Sequence, residues 1–400
     1  MRWLAVVLLA LAPLLWWGMR TDPEVTSTPD PVGDAAPTPT PTAVVEGETA
    51  RLESPSPKAS TLPAGSSSQD ACAPFAELAL LQPTSQPDES ADAYRQRADQ
   101  HIDQLMGGLN HSQDPDHLFA LSFSPHRTTQ EQLELARQAA ALDPDNPLFR
   151  YRALGICASG PPVCAQVAEL ERDLLRVAPD NSEALIMVAA SCLMRADAKC
   201  AYRYLDRAGA ASEVSAYFGE TITHLDRALT ATDLSYQQRV ELAFSLGATA
   251  PVPFGLLAEF CRGVDPVPSV PSASVIEACI AYGERSASGA DTVLAQKMGE
   301  ELARLGYIAQ GYTPEEARTH LRERLGGSVE LAVLSIAMYE RLLSDEAFFR
   351  RYLAQLIDIG ESAAQAWVSA QMVDWQPSCA AELIAAREGE GPAPMEQDQP

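Results

Sequence analysis

The chain has 400 residues, enough for two or three ordinary domains or for one extended repeat array. Its 54 Asp and Glu against 29 Lys and Arg leave a net charge of −25. That excess excludes a nucleic-acid backbone or an anionic membrane surface as the main partner, because either would repel it. Aromatic residues make up 6% beside a hydrophobic content of 46%, a balance that suits Ala/Leu-rich helices better than β-sandwiches or barrels. Lysine occurs only at Lys58, Lys199 and Lys297, so arginine is the default cation and a lone arginine says little about anion binding.

The first element is an apolar run from Trp3 to Met19, bracketed by Arg2 and Arg20. At ~1.5 Å per residue it spans roughly 25 Å, the short edge of what crosses a bilayer core. A cleavable signal peptide is the rival reading. Its one small-x-small candidate, Ala10-Leu11-Ala12, is followed by Pro13, and bulky Trp16-Trp17 stand where a peptidase wants small residues. No cysteine closes the run, which excludes a lipoprotein. Residues 1–20 are therefore expected to be a single-pass anchor in a bacterial inner membrane, touching lipid through residues 3–19. Arg2 on the inner side leaves the bulk of the chain in the periplasm. Secretion after signal cleavage is the alternative.

Residues 21–70 carry nine prolines and fifteen Ser/Thr, including Pro37-Thr-Pro-Thr-Pro-Thr42. Such a stretch buries too little apolar surface to offset its ordering entropy and is expected to be a disordered linker. Extended at ~3.1 Å per residue, it would reach on the order of 150 Å from the membrane.

From residue 71 to 385 the pattern is helical, and the expected fold class is all-α. Thr129-Gln-Glu-Gln132, Ser235-Tyr-Gln-Gln238 and Thr313-Pro-Glu-Glu316 each place Glu or Gln three residues after a hydroxyl, the pattern of a capping box. Gly306, Gly326-Gly327 and Gly360 punctuate at or near helix ends, and Gly283-Glu-Arg-Ser-Ala-Ser-Gly289 reads as a turn between helices. Val329–Met338 and Phe348–Ile359 are long apolar helices that either cap the array or bury against another subunit. Trp367 and Trp375, in the same apolar stretch, read as core. The tail 386–400 is Glu/Gly/Pro-rich and expected to be disordered.

An internal repeat organises the middle of this body. Leu142-Asp-Pro-Asp-Asn146 recurs 35 residues later as Val177-Ala-Pro-Asp-Asn181, and Cys157 recurs at Cys192. Tyr151, Leu154-Gly155 and Pro179 supply an aromatic, a Leu-Gly pair and a closing proline, with Ala120, Ala139 and Pro144 at the matching positions one unit earlier. In the next unit Ala190 replaces the glycine. On these residues, roughly 113–217 resemble a tetratricopeptide repeat array, a superhelix of helix-turn-helix units. The resemblance implies a protein-interaction scaffold or assembly factor, with a groove formed by the first helix of each unit. Tyr151 and Met187 are the positions to look at for that groove, or else they are core. The acidic balance implies a basic or neutral partner segment.

The eight cysteines are even in number and contain no Cys-x-x-Cys or zinc-ligand spacing. Behind an export signal they read as disulfides. Cys157 with Cys164, and Cys192 with Cys200, each lie at the end of one helix and the start of its antiparallel partner. This is similar to disulfide-stapled Sel1-like repeats, without their richer glycine pattern. Cys261 and Cys279 flank a Pro-rich loop and form a third pair. Cys72 and Cys379 are left over: either they bridge as the array curls, or one of the other pairings differs.

Motifs for nucleophilic, phosphate-binding or zinc-dependent chemistry are absent from the sequence. His111, Asp114 and His117 have the residue types of a metal site, but Asp114-Pro115 reads more simply as a helix start. Glu316 and His320 read as a surface pair at i, i+4, and Glu300-Glu301 and Glu315-Glu316 as solvated helix faces. No catalytic residue, cofactor or metal is expected. The leading expectation is a membrane-anchored periplasmic scaffold. The rivals are a cell-envelope hydrolase using a glutamate without a local motif, and a passive structural envelope protein.

Overall fold

A computed structural model describes residues 90–158, 164–248, 254–263, 272–326 and 336–372. The anchor, the linker, the acidic tail, Cys72, Cys379, Trp375 and residues 329–335 lie outside the described residues. Among the described residues no helix is long and apolar enough to cross a membrane. The architecture is all-α: among the described residues there are sixteen α-helices and one 3-10 turn, with consecutive helices packed in pairs.

In chain order, α1 is Ala91–Leu105, α2 Pro115–Leu121, α3 Thr129–Leu142 and α4 Pro147–Cys157. They are followed by α5 Val167–Val177, α6 Ser182–Met194, α7 Ala198–Gly209 and α8 Phe218–Leu229. Next come α9 Tyr236–Gly247, α10 Phe254–Cys261, α11 Ser272–Gly289 and α12 Val293–Ala309. The last four are α13 Pro314–Leu325, α14 Ile336–Ser344, α15 Glu346–Ile359 and α16 Glu361–Gln371.

The 35-residue recurrence has a local physical meaning. Asn146 and Asn181 are the N-caps of α4 and α6, their side chains accepting from Leu148 N and Glu183 N. Pro147 then occupies a first helical position, where its missing N–H costs nothing. The turns before both caps are also pinned from the next outer helix. Arg176 donates to the Pro144 carbonyl at 2.9 Å and Arg207 to the Pro179 carbonyl at 3.1 Å.

Capping boxes close α9 on Ser235 and Gln238 and α13 on Thr313 and Glu316. The box on α3 sits one residue earlier than the sequence reading placed it, on Thr128 and Glu131. Two threonines in a row offer two registers, and the Glu131 carboxylate is the stronger acceptor. Gln132 is used elsewhere, donating to the Ser124 carbonyl at 2.8 Å.

Among the described residues three disulfides are formed: Cys157–Cys164, Cys192–Cys200 and Cys261–Cys279, with Cα separations of 5.5, 5.7 and 5.8 Å. The second clips α6 to α7 and the third ties α10 to α11. Stable bridges of this kind belong to an oxidising, extracytoplasmic compartment.

The stretch Gly283–Gly289 is not a turn. It is part of the second half of α11, and Gly283 serves helix packing. A Cβ on Gly283 would stand 2.4 Å from the Ala303 nitrogen, and one on Gly299 would stand 2.6 Å from that of Ala287, so α11 and α12 cross backbone to backbone. Gly306 lies in the last turn of α12, near its end as expected, and packs on Ile280. Gly326 and Gly360 do stand at helix ends, with φ of 71° and 79°.

Candidate functional site

Three places in the fold bring chemistry-bearing side chains together. The first is the face shared by α4 and α6, where a partner groove was expected. Every residue of α4 from Leu148 to Cys157 is buried, and so is every residue of α6 from Ser182 to Cys192. Tyr151 and Met187 are 7% and 1% exposed, so both are core and neither lines an open groove. The face is filled by the chain's own later helices. From α8, His224 meets Phe149 at 5.1 Å between ring centroids, and Tyr217 just before it meets Tyr151 at 5.5 Å. Helix α10 packs on α6, and Tyr282 of α11 reaches Glu183.

Two polar knots hold that closure. In one, Asp116 at the start of α2 accepts from Arg227 of α8 at 3.0 Å and lies 2.6 Å from His224 Nδ1. Burial works against the Asp116 carboxylate, but the hydrogen bond and charge of His224, with Arg227, outweigh it and hold its pKa below the usual range. Nearby on α4, Arg152 is buried over the Phe123 ring and donates to the Ser122 carbonyl at 2.6 Å. Burial, with no carboxylate paired to it among the described residues, pulls its pKa down to about 9.

The other knot centres on Glu183, which is 3% exposed at the start of α6. Its Oε1 accepts from Tyr282 Oη at 3.1 Å and Ser286 Oγ at 3.2 Å, both on α11. Burial, together with the negative charge of Asp291, pushes the Glu183 pKa up to about 7; the two hydrogen bonds oppose that rise. Asp291 itself accepts from Ser215 Oγ and from the Ala216 nitrogen, both at 2.8 Å. Asn181 donates to Tyr217 Oη at 2.8 Å and to the Ser215 carbonyl at 3.0 Å. Together Asn181 and Asp291 hold Tyr217 in a left-handed conformation with φ of 58°, which a bulky residue adopts only when its surroundings impose it. Burial also raises the pKa of Asp291, Glu361 and Glu220 around the same junction.

The third place is open to solvent. Between the outer helices α5 and α7 lies a shallow cleft of about 390 Å³, lined by Ala168, Glu171, Arg172, Leu175, Arg176 and Tyr204. Both helices are strongly one-sided. Only Val167, Leu170 and Leu174 of α5, and Ala201, Leu205 and Ala208 of α7, are buried. Glu171 is already engaged, accepting from Arg195 at 2.6 Å and from Ser191 at 2.7 Å. Arg203 and Arg207 stand over the Tyr204 ring at 4.8 and 5.4 Å.

The remaining sequence candidates serve structure. Asp114 caps α2, accepting from the Asp116 nitrogen at 2.8 Å, and His117 Nδ1 lies 2.7 Å from Ser112 Oγ. Among the described residues no group of three His, Cys, Asp or Glu is placed to hold a metal ion. Glu316 belongs to its capping box, while His320 packs on Tyr307 and Tyr312, so the expected Glu316–His320 pair is replaced by an aromatic contact. Glu300, Glu301 and Glu315 pair with Lys297, Arg304 and Arg318 one helical turn away. Trp367 stacks on Phe348 with ring centroids 5.2 Å apart.

Sequence reasoning missed Glu183, Asp291, Tyr282 and Ser286. The first looks like an ordinary first-turn acid, Ser286 sits in the stretch that reads as a turn, and Tyr282 stands directly before it. Comparison of the chain with protein-family models, with curated proteins and with solved structures finds no match.

Proposed function

We propose that this protein is an extracytoplasmic protein-interaction module, tethered to a bacterial inner membrane through residues 3–19 and extended into the periplasm by the linker 21–70. Residues 113–217 are then a helix-turn-helix array of the tetratricopeptide kind, with its usual binding face put to another use. The first helices of its units, α4 and α6, are spent as core, and the partner is taken on the outer face instead.

The observation that carries this reading is the contrast between the filled α4/α6 face and the open cleft between α5 and α7. An aromatic ring flanked by arginines, with aliphatic neighbours, has the composition that anchors protein interfaces. Three disulfides suit the compartment. The test is co-purification of the full chain from envelope extract with Leu175→Ala and Tyr204→Ala together. A stoichiometric partner held by the parent and lost from the variant, with the melting temperature unchanged, supports the reading. Equal recovery by both sinks it.

One observation favours the hydrolase alternative: burial pushes the Glu183 pKa up to about 7, in the range that suits a general acid. Tyr282, Ser286 and the α6–α11 packing enclose it, so substrate would reach it only if that junction opened. Loss of a measured envelope hydrolase activity in Glu183→Gln, with the fold intact, would revive that reading.

A further inference from the structure

The three disulfides differ in what surrounds their sulfurs. Cys261 and Cys279 are both fully buried, which shields that bridge from an external thiol. Cys157–Cys164 and Cys192–Cys200 each join a buried cysteine to a half-buried one, Cys164 and Cys200. Access alone does not separate these two.

The groups beside the sulfurs do. Cys200 stands in the first turn of α7, where the N–H end of the helix favours a thiolate. Arg203 Nη2 lies 3.9 Å from Cys200 Sγ, and among the described residues Arg203 forms no ion pair, Asp206 one turn further on included. Asp197, the one acid within three residues of Cys200, is spent as the cap of α7, accepting from the Cys200 nitrogen at 2.9 Å. Lys199 and Arg203 outnumber it over the same stretch. Cys192 lies in the last turn of α6, with Arg195 Nη2 at 3.6 Å from its Sγ. Glu171 balances the charge of Arg195 at 2.6 Å, so Arg195 brings that sulfur a hydrogen-bond donor. Cys157, by contrast, is the last residue of α4, at the carbonyl end that disfavours a thiolate, and Cys164 lies in the loop before α5. Among the described residues no guanidinium contacts either of those sulfurs.

We infer that Cys192–Cys200 is a thiol–disulfide exchange site, opened by a dithiol reductant at the half-buried Cys200 Sγ. One thiolate of the dithiol attacks that sulfur; the Cys192–Cys200 bond breaks and its electron pair leaves on Cys192 Sγ, beside Arg195. The second thiol of the donor, having given up its proton, attacks the donor sulfur of the mixed disulfide and releases Cys200 as a thiolate beside Arg203. The donor ends as a disulfide, and its two electrons and two protons end on the two protein thiols. Helices α6 and α7 then lose their staple while the other two bridges stay closed. The buried Cys261–Cys279 bridge is the internal reference for a purely structural disulfide.

The test follows each bridge of the oxidised full chain near neutral pH by acid quenching, alkylation and peptide mapping. With dithiothreitol, Cys192–Cys200 should open at least about tenfold faster than Cys157–Cys164, with Cys261–Cys279 last. With the monothiol glutathione, the first mixed disulfide should sit on Cys200 and leave Cys192 free. Arg203→Ala should slow the opening at least about threefold and Arg203→Lys should restore it, both at an unchanged melting temperature. Opening of all three bridges together, at the rate of global unfolding, overturns the inference and leaves three structural staples. Glutathione on Cys192, Cys157–Cys164 opening first, or a rate indifferent to Arg203→Ala overturns it as well.

Discussion

Helices α4 and α6 and helices α5 and α7 are neighbours in one array and close to equal in length, yet they meet opposite surroundings. The inner pair is buried along nearly its whole length, including Arg150 and Arg152, whereas each outer helix buries three side chains. The difference lies in sequence pattern. Leu-Ile-Met-Val-Ala-Ala in α6 is apolar on every side and demands neighbours all round, while Glu-Leu-Glu-Arg-Asp-Leu-Leu-Arg in α5 is apolar on one side only. An array whose first helices need cover on both faces recruits later helices to supply it, and α8, α10 and α11 do so here. The surface left for a partner is then the outer one.

The sharpest break in this comparison is a truncation on the inner side. Phe149 is fully buried between Phe119 and His224. Phe149→Ala should cost about 3–5 kcal/mol of stability in chemical denaturation. Leu175→Ala on the outer side should cost well under half of that, and similar losses at both positions would deny the asymmetry.

Next in size is the Glu183 knot. Its folded pKa of about 7 lies above the unfolded value of 4.5, so the folded state binds the proton more tightly. Stability from this group is therefore complete below pH 4.5 and is lost as pH rises through 7, on the order of 3 kcal/mol in all. The raised pKa values of Asp291, Glu361 and Glu220 act in the same direction. Glu183→Gln keeps an acceptor for Tyr282 and Ser286 without the charge. Denaturation across pH 4.5–8 should show a flatter dependence for this variant than for the parent, and parallel curves would remove Glu183 from the account.

The staples come third. The bridges Cys157–Cys164 and Cys192–Cys200, with sequence separations of 7 and 8, should each contribute about 2–3 kcal/mol through the unfolded state. Replacing either pair by serine should lower the melting temperature without changing the far-ultraviolet spectrum. The smallest effect belongs to the cleft: Arg172→Glu/Arg203→Glu should shift stability by no more than about 0.5 kcal/mol, since neither side chain is buried.

Much of the fold could be read before any coordinates, for physical reasons particular residues make plain. Asn146 and Asn181 mark the recurrence, Asp114-Pro115 and Thr313-Pro314 mark helix starts, and the three local cysteine pairs fall where one helix ends and the next begins. What escaped was long-range. Nothing in Gly283–Gly289 distinguishes a glycine-rich turn from a helix whose glycines admit a second backbone, because the deciding contact is with Gly299 and Ala303. The same holds for Asp116 with His224 and for Glu183 with Tyr282, pairs about a hundred residues apart. The candidate cleft was hidden differently: its residues are ordinary outer-helix positions, and only the fold brings Tyr204 of α7 to Ala168, Glu171, Arg172, Leu175 and Arg176 of α5.

Site-directed photo-cross-linking in the intact envelope tests the central claim most directly, with the photoreactive residue placed at Arg172, at Tyr204 and, as a reference, at exposed Leu256 on α10. The outer-face account predicts one shared partner adduct from positions 172 and 204 and none from 256. A partner adduct from 256 alone, with positions 172 and 204 silent, would contradict it.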